Sequence, residues 1–572
     1  LQKEALVDNR ELILEAQNHS IKGHVQMIEE GDYGLPEFQR TFVWDHERVL
    51  RFWESLHRGF PVGQLMFWEP GNDADFPMRS FGRKQTDLAE RGKYAAIDGQ
   101  QRLTAVWLVL KGDIPLRFDL DGGHFTYRET SKSISLDILR KRNIAEAMRK
   151  NFFFLSATGD QQELFTDSLY HLNATLTGRT IPSETIKHAN YATVVDIFAR
   201  INQQGVPLSE AQIALASISI KWPGVFRRIS NELKKLNDEV GFDRIEDPNF
   251  VIQAWTAVHT GQHLVRHLAP QTENGARSKY AAMATAESFA QSWNKLQRGI
   301  EGLINLMRDG LHIDNFEFIK QYAPLVPVIN FLAHRQNPLE QDKASLTKWL
   351  LMAFAQSHYS VRSQTKLRED IRATGPQGSL TDLFTHRWEA LDPNKFTITE
   401  EGLIKEAFNS GYMTLLYILM KRANAVDWLR PDIRVGDKLG DDGIEVWEFH
   451  HIFPDANFAA ERFQLKARKE TAEQEQDEAT VKSLEDERVS LEGRIRSVGN
   501  LAFLTPRSNQ TIGDSLPSEY LAEICEQPDG EERLRNQFVP LDRNLWRHEK
   551  FDEFCLERCR LIARAAREHL GL

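Results

Sequence analysis

Glu448-Phe449-His450-His451-Ile452-Phe453-Pro454 sets two adjacent histidines at the end of a β-type run and closes it with a proline. Successive strand residues point to opposite faces, so one histidine can reach a metal while the other faces a substrate phosphate only where the strand twists or ends. The turn imposed by Pro454 meets that need. Farther along, Ser497-Val498-Gly499-Asn500-Leu501-Ala502-Phe503-Leu504 reads as a second short strand, and Ser508-Asn509-Gln510 comes after it, with Asn509 nine positions after Asn500. The order is strand, strand, helix. A histidine pair or a turn asparagine alone is commonplace; the combined order and spacing argue for a site.

That order, His-His-Ile-Phe-Pro, then Gly-Asn-Leu, then Ser-Asn, resembles the HNH, or His-Me finger, nuclease motif. More narrowly, it resembles the C-terminal nuclease domain of GmrSD-type restriction enzymes, marked by His-x-x-Pro, here His451 to Pro454. The likeness spans about residue 401 to the end, including the Trp546 to Leu570 tail. It implies a ββα-metal finger in a mainly helical C-terminal domain. His451 takes the role of general base, Asn500 positions its ring or the loop that carries it, and His450 and Asn509 hold one Mg²⁺ or Mn²⁺ with water completing the shell. The chemistry is sound, because a neutral imidazole with a pKa near roughly 6.5 suits deprotonation of a nucleophilic water. A divalent cation polarises the phosphoryl oxygen. The departure from a compact finger is residues 461–494, a dense mixture of Glu, Lys, Arg and Gln that predicts one or two exposed helices inserted between the strands.

In the N-terminal part, Ile97-Asp98-Gly99-Gln100-Gln101-Arg102-Leu103-Thr104 comes after a strand-like run and opens a helix. A helix N-terminus after a glycine turn offers N–H groups to an anion, and Arg102 can add a charged fork to phosphate. Asp98 can hold a phosphate-bound Mg²⁺ or simply cap the helix. Leu35-Pro36-Glu37-Phe38-Gln39-Arg40 precedes this segment, and Phe198-Ala199-Arg200-Ile201-Asn202 opens another after it. Together they resemble the ParB-like N-terminal domain of the GmrSD and SspE families, over about residues 20 to 222. The resemblance implies nucleotide binding or hydrolysis and detection of modified DNA, with Asp98, Gly99, Gln100, Gln101, Arg102, Arg40, Arg200 and Asn202 as nucleotide contacts. The cofactor is then a nucleoside triphosphate, and the absence of a Gly-x-x-x-x-Gly-Lys-Ser/Thr motif leaves ordinary P-loop chemistry unsupported.

Between these ends, 572 residues with 41% hydrophobic and 27% charged composition require two or three packed domains. The fold class expected is α+β multidomain: residues 1–222 a sensor domain, 223–400 a helical connector, 401–572 the nuclease domain. Helical spacing at Phe318 to Ala333 and Leu346 to Phe354 supports the connector, and Gly411 to Lys421 reads as a further helix beyond it. No apolar run approaches the roughly 20 residues of a membrane helix, and the Glu4 to Glu15 region lacks the order of a secretory signal, so no membrane partner and a cytoplasmic location are expected. Three cysteines, Cys525, Cys555 and Cys559, exclude a disulfide framework; Cys555 and Cys559 read as one helix face. A net charge of -11 excludes blanket affinity for nucleic acid, leaving local basic groups such as Arg494, Arg496, Arg507 and the run Arg140, Lys141, Arg142.

The two resemblances in this order imply a modification-dependent (type IV) restriction endonuclease that cuts modified phage DNA and is regulated by nucleotide. Its partners are double-stranded DNA, nucleotide and, as a candidate, a second copy of the chain. Two alternatives use the same residues: a nucleotide-switched DNA-binding regulator with an inactive finger, or a nuclease directed at RNA.

Overall fold

The computed structural model describes residues 12–39, 41–71, 78–82, 92–138, 159–202, 210–242, 248–268, 272–273, 276–277, 281–313, 315–316, 319, 321–335, 337–385, 398–405, 411–437, 439 and 447–570. Arg40 and the run Arg140 to Arg142 lie outside them, as does the side chain of Asn202. The chain divides into two compact units, Leu1–Ser230 with Leu268–Ala286, and Asn231–His267 with Glu287–Leu572.

The first unit is built on β1 (Ile13–Ser20), α1 (Ile21–Glu29), β2 (Tyr33–Pro36), α2 (His46–His57), β3 (Leu65–Trp68), β4 (Met78–Arg79), β5 (Tyr94–Asp98) and α3 (Gln100–Lys111). After these come β6 (Arg117–Asp119), β7 (His124–Thr126), β8 (Ser133–Ser135), α4 (Asp160–Gly178), β9 (Thr180–Lys187), α5 (Tyr191–Asn202) and α6 (Glu210–Lys221). Six strands form a mixed sheet in the order β1-β9-β3-β5-β2-β4, and β7-β6-β8 form a small antiparallel one. The strand alternation of period two explains why helices cover both faces of the larger sheet. Ala96, Leu65 and Phe67 join the core with α1 to α4, while Ala95, Ile97 and Trp68 pack with Val194, Val195 and Phe198 of α5 and Ala216 of α6. Gln64 to Trp68, Tyr94 to Ile97 and Leu116 to Leu120, three short strand-like runs of the sequence, fall on β3, β5 and β6.

The second unit is mainly helical. Its helices include α7 (Asn249–Thr260), α8 (Ala286–Leu311), α9 (Leu325–His334), α10 (Glu340–Ala355), α11 (Ser363–Ala373) and α12 (Gly411–Arg422). The helix expected at Phe318 to Ala333 begins only at Leu325, because Pro324 lacks an N–H and disfavours helical backbone before it. Next come β10 (Glu448–His451), α13 (Ala459–Gln474), α14 (Glu478–Ile495), β11 (Leu501–Leu504), α15 (Pro506–Ile512), α16 (Pro517–Cys525) and α17 (Phe551–Leu570). The charged insertion is thus the two helices α13 and α14, joined across by ion pairs such as Lys469 to Glu485 at 3.1 Å. The second strand is shorter than Ser497 to Leu504, because Val498–Asn500 forms one 3-10 turn ahead of it. Gly499 sits there so close to α17 that an added Cβ would lie 3.0 Å from both the Cys555 carbonyl oxygen and the Cys559 sulfur. Cys555 and Cys559 share the buried face of α17 with Phe554 and Ile562, and both are free thiols. Among the described residues, no helix is long and apolar enough to cross a membrane.

Burial in the first unit has a pH consequence at His24, which is 1% exposed and has Nδ1 3.2 Å from the Tyr33 hydroxyl. Desolvation, with the nearby His19, lowers its pKa from 6.5 to about 4. A group that binds its proton more weakly when folded favours the unfolded state as it charges. Its stabilising effect is therefore full above pH 6.5 and is lost as pH falls toward 4. Urea midpoints over that window should fall with pH for the wild type and fall less steeply for His24→Phe.

Candidate functional site

β10 and β11 run antiparallel with Glu448 opposite Leu504, Phe449 opposite Phe503, His450 opposite Ala502 and His451 opposite Leu501. Glu448 and His450, two positions apart, share a face, and α15 lies on that face. Helix α15 starts cleanly because the Thr505 hydroxyl accepts from Ser508 N–H and Pro506 occupies its first turn, where a missing N–H costs nothing. Its register carries Asn509 to the strand: His450 Nδ1 is 2.7 Å from Asn509 Oδ1, and Asn509 Nδ2 donates to Glu448 Oε2 at 2.5 Å. His450 is 2% exposed, packed edge-on against the Trp428 ring at 5.9 Å, with Nε2 3.4 Å from the Tyr520 hydroxyl. Burial lowers its pKa to about 4, which keeps the ring neutral; Nδ1–H donates to the Asn509 oxygen, so the lone pair is on Nε2.

His451 is the last residue of β10 and points to the other side. It is half-buried and forms no side-chain hydrogen bond among the described residues. Desolvation, the largest influence, and the Arg496 charge hold its pKa below the ordinary histidine value against the opposing pull of Asp455. Arg496 is exposed and has no ion pair among the described residues, whereas Arg494 is tied to Asp552 at 2.6 Å. The inserted helices reach this side at their root: Arg462 of α13 donates to Asp455 Oδ1 at 2.6 Å and to Glu492 Oε1 at 2.6 Å, so Asp455 is held a few residues past His451.

Asn500 does not touch the histidine ring. It is fully buried; its Oδ1 accepts from Phe453 N–H at 2.8 Å and its Nδ2 donates to the carbonyls of Phe453 at 3.1 Å and Ile495 at 2.8 Å. It therefore fixes the chain that leaves His451. Sequence reasoning missed two further supports. Buried Asp427 accepts from Thr505 N–H at 2.7 Å and from the Ser508 hydroxyl at 2.6 Å, and Gln537 accepts from Phe503 N–H at 3.0 Å. Neither has a local signal, since both act across long sequence separations. Glu448 was findable, because strand periodicity places it beside His450.

Among the described residues, no three His, Cys, Asp or Glu side chains gather as a metal cluster. His450, Asn509 and Glu448 nevertheless bring an imidazole, an amide and a carboxylate together, with Asn509 in contact with both of the others. That set, completed by water, suits a hard divalent cation that keeps much of its hydration.

In the first unit the expected nucleotide residues form a stitched pair of segments. Asp98 ends β5, and Gly99 turns into α3 with φ +86°, so the helix has no side-chain cap and Asp98 does not serve as one. Arg102 donates to the carbonyls of Val62 at 2.8 Å and Gln64 at 2.9 Å and pairs with Asp98 at 2.9 Å. As placed, its guanidinium holds the Val62 to Gln64 loop and is not an open fork. Gln101 accepts from Val43 N–H at 2.9 Å and donates to the Thr41 carbonyl at 2.9 Å and to Gln100 Oε1 at 2.7 Å. Gln39 donates to the β5 carbonyls of Ala96 and Ile97, and Phe38 packs on Phe198 with ring centroids 4.6 Å apart. Glu37 is buried, accepts from Gly224 N–H at 3.1 Å, and is raised to about 7 by desolvation. Arg200 is exposed and paired with Asp196 at 2.9 Å, and no described contact joins it to the Asp98 to Arg102 turn.

Residues 21–219 match the family model described as GmrSD restriction endonuclease, N-terminal domain. The chain is also similar to the uncharacterized protein MJ0686 of Methanocaldococcus jannaschii, 20% identical over 496 residues that cover 76% of this chain and 80% of that protein. A restriction-endonuclease-related first unit is therefore indicated, and the second unit is described by its geometry alone.

Two substitutions test these supports. Asn500→Ala leaves three buried backbone groups without partners, and at about 1 kcal/mol or more for each the loss should be roughly 3 kcal/mol, read as a lower denaturant midpoint with unchanged slope. Gly99→Ala would set a Cβ 2.2 Å from Leu65 Cδ2 at a positive φ, and should cost about 1–3 kcal/mol or more by the same measurement. Wild-type midpoints in either variant would show that the turn relaxes freely.

Proposed function

We propose that this protein is a divalent-metal-dependent DNA endonuclease of the restriction type, with its hydrolytic site on the β10–β11–α15 unit. The observation that carries this reading is the register: it sets His450 and Glu448 on one face, both against Asn509, and leaves His451 on the opposite side as the half-buried last residue of its strand, with no side-chain hydrogen bond among the described residues. The match of residues 21–219 to a restriction-endonuclease domain supports the biological class.

His451 acts as the general base. Burial keeps its ring neutral near pH 7, so Nδ1 or Nε2 can take a proton from a water aimed at phosphorus. Arg496, exposed beside it, is placed to meet a phosphate oxygen and favours the neutral ring. Asn500 prevents the Ile452 to Phe453 chain from swinging the base away. His450, Asn509 and Glu448 would hold Mg²⁺ or Mn²⁺, which supplies polarisation of the phosphoryl oxygen and charge for the leaving oxygen. In the first unit the Asp98 to Gln101 turn is the nucleotide site, with Arg102 bracing its wall, and the occupied site biases cutting towards modified phage DNA.

Purified protein incubated with supercoiled plasmid and with matched phage DNAs differing only in modification tests the reading. Cleavage should need Mg²⁺ or Mn²⁺, stop with chelator and favour modified DNA. His451→Ala should lower the rate by about 10²-fold or more without unfolding the protein. His450→Ala and Asn509→Ala should shift the metal titration to higher concentration. Because the His451 pKa lies below 6.5, the acid limb of the rate profile should also lie below 6.5. Modified and plain DNA left intact with either metal would move the reading to a binding protein, and preferential cutting of RNA would replace the substrate.

A further inference from the structure

In the second unit a cavity of about 270 Å³ is lined by Arg308, His312, Lys421, Asn424 and Arg434, together with Ala425 and Val435. Three chain segments build it. Arg308 comes from the last turn of α8, Lys421 from the last turn of α12, and Arg434 from the turn beyond it. His312 and Asn424, both at positive φ, are where the chain leaves the two helices, and the Ala425 N–H closes α12 on the Met420 carbonyl at 2.9 Å.

A basic residue in a final helical turn is ordinarily accounted for by the helix dipole. That accounts for Arg308 and Lys421 one at a time. It does not account for Arg434, which is not helical, nor for the convergence of all three on one hollow. Arg434 is exposed and makes no side-chain hydrogen bond or ion pair among the described residues; the nearby Asp437 carboxylate is turned onto the Arg434 backbone N–H at 2.8 Å. The Arg308 guanidinium donates to the Glu239 carbonyl at 3.0 Å and has no ion pair among the described residues. Arg308 and Arg434 are like charges brought to one cavity, where they repel, and an anion between them removes that cost.

The Ala425 and Val435 segments of the lining are tied to the β10–β11–α15 unit. Val426 bridges Arg434, Val435 N–H donates to Ala425 O at 2.9 Å, and Asp427 N–H donates to Ile433 O at 2.9 Å. The carboxylate of that same Asp427 caps the β11–α15 turn, and Gln537 joins Val426 O to both backbone groups of Phe503.

We propose that this cavity is a phosphate-binding site formed by Arg308, Lys421 and Arg434, and that its occupant is a backbone phosphate of the DNA held at the histidine site. The phosphate chemistry stands apart from the nuclease reading; only the DNA source rests on it. A free polyphosphate is the same chemistry from another source.

Binding is measured in a His451→Ala background, so that DNA stays intact, by anisotropy of a labelled duplex across a salt series, and in parallel with inorganic pyrophosphate by calorimetry. Arg434→Gln should weaken duplex binding and reduce the slope of log K against log salt by about 1, and the double change with Arg308→Gln by about 2. Arg535→Gln, an equal charge change in the same unit, should leave the slope alone. Loss of pyrophosphate binding with an unchanged duplex slope supports the site and assigns it to a free polyphosphate. Arg434→Gln is expected to fold, since its side chain has no described partner, and circular dichroism checks this. If neither ligand responds to Arg434→Gln or Arg434→Glu, whether or not the wild type binds DNA, the proposal is overturned.

Discussion

Pairing of His450 with Ala502 is the constraint on which the second unit turns. Side chains of a strand alternate, so a slip of one residue would carry His450 out of its contact with Asn509 and turn His451 inward. Two paired strands of four residues cannot hold that register by their own hydrogen bonds. The register is held from outside: Asn500 grips the chain past His451, Gln537 occupies both backbone groups of Phe503, and Asp427 holds the turn into α15. Each is a buried polar group whose removal leaves orphaned partners, so the cost of slippage is concentrated in a few side chains.

The same economy governs the first unit. Gln39, Gln101 and Arg102 are polar residues near a glycine turn, yet most of their hydrogen bonds go to backbone groups of neighbouring segments: Gln39 to β5, Gln101 to Thr41 and Val43, and Arg102 to Val62 and Gln64. Such side chains brace the Gly99 turn and the segments beside it and fix their shape. Whether they also touch a ligand is a separate property, and Arg102 illustrates the distinction: the residue type suits phosphate, while its geometry serves a loop.

Much of the fold was legible because it is periodic. The strand-like run at Tyr94 to Ile97, the apolar helix at Gly411 to Lys421 and the charge pattern of the insertion each report a local structure directly. His450, Asn509 and Asn500 were legible as a set through order and spacing. Asn500 was read as orienting the base's ring or its loop, and it binds the loop. Asp427 and Gln537 were not legible, because their partners lie across the fold. The shortened second strand escaped as well, since its cause is the approach of Gly499 to a helix more than fifty residues on.

The inserted helices α13 and α14 bear on how the chain finds this arrangement. Phe453 and Asn500 are 47 residues apart, and closing a flexible loop of that length costs roughly 3 kcal/mol of chain entropy before any contact repays it. Helices α13 and α14 form from local contacts, and Arg462 ties the two together near their ends through Glu492. Once that antiparallel pair has formed, the strands on either side enter as near neighbours. The insertion thus works as a folded splint that shortens the search for strand pairing. Its outer turns can lengthen or shrink with little effect on that search, provided the Arg462 crossing is kept.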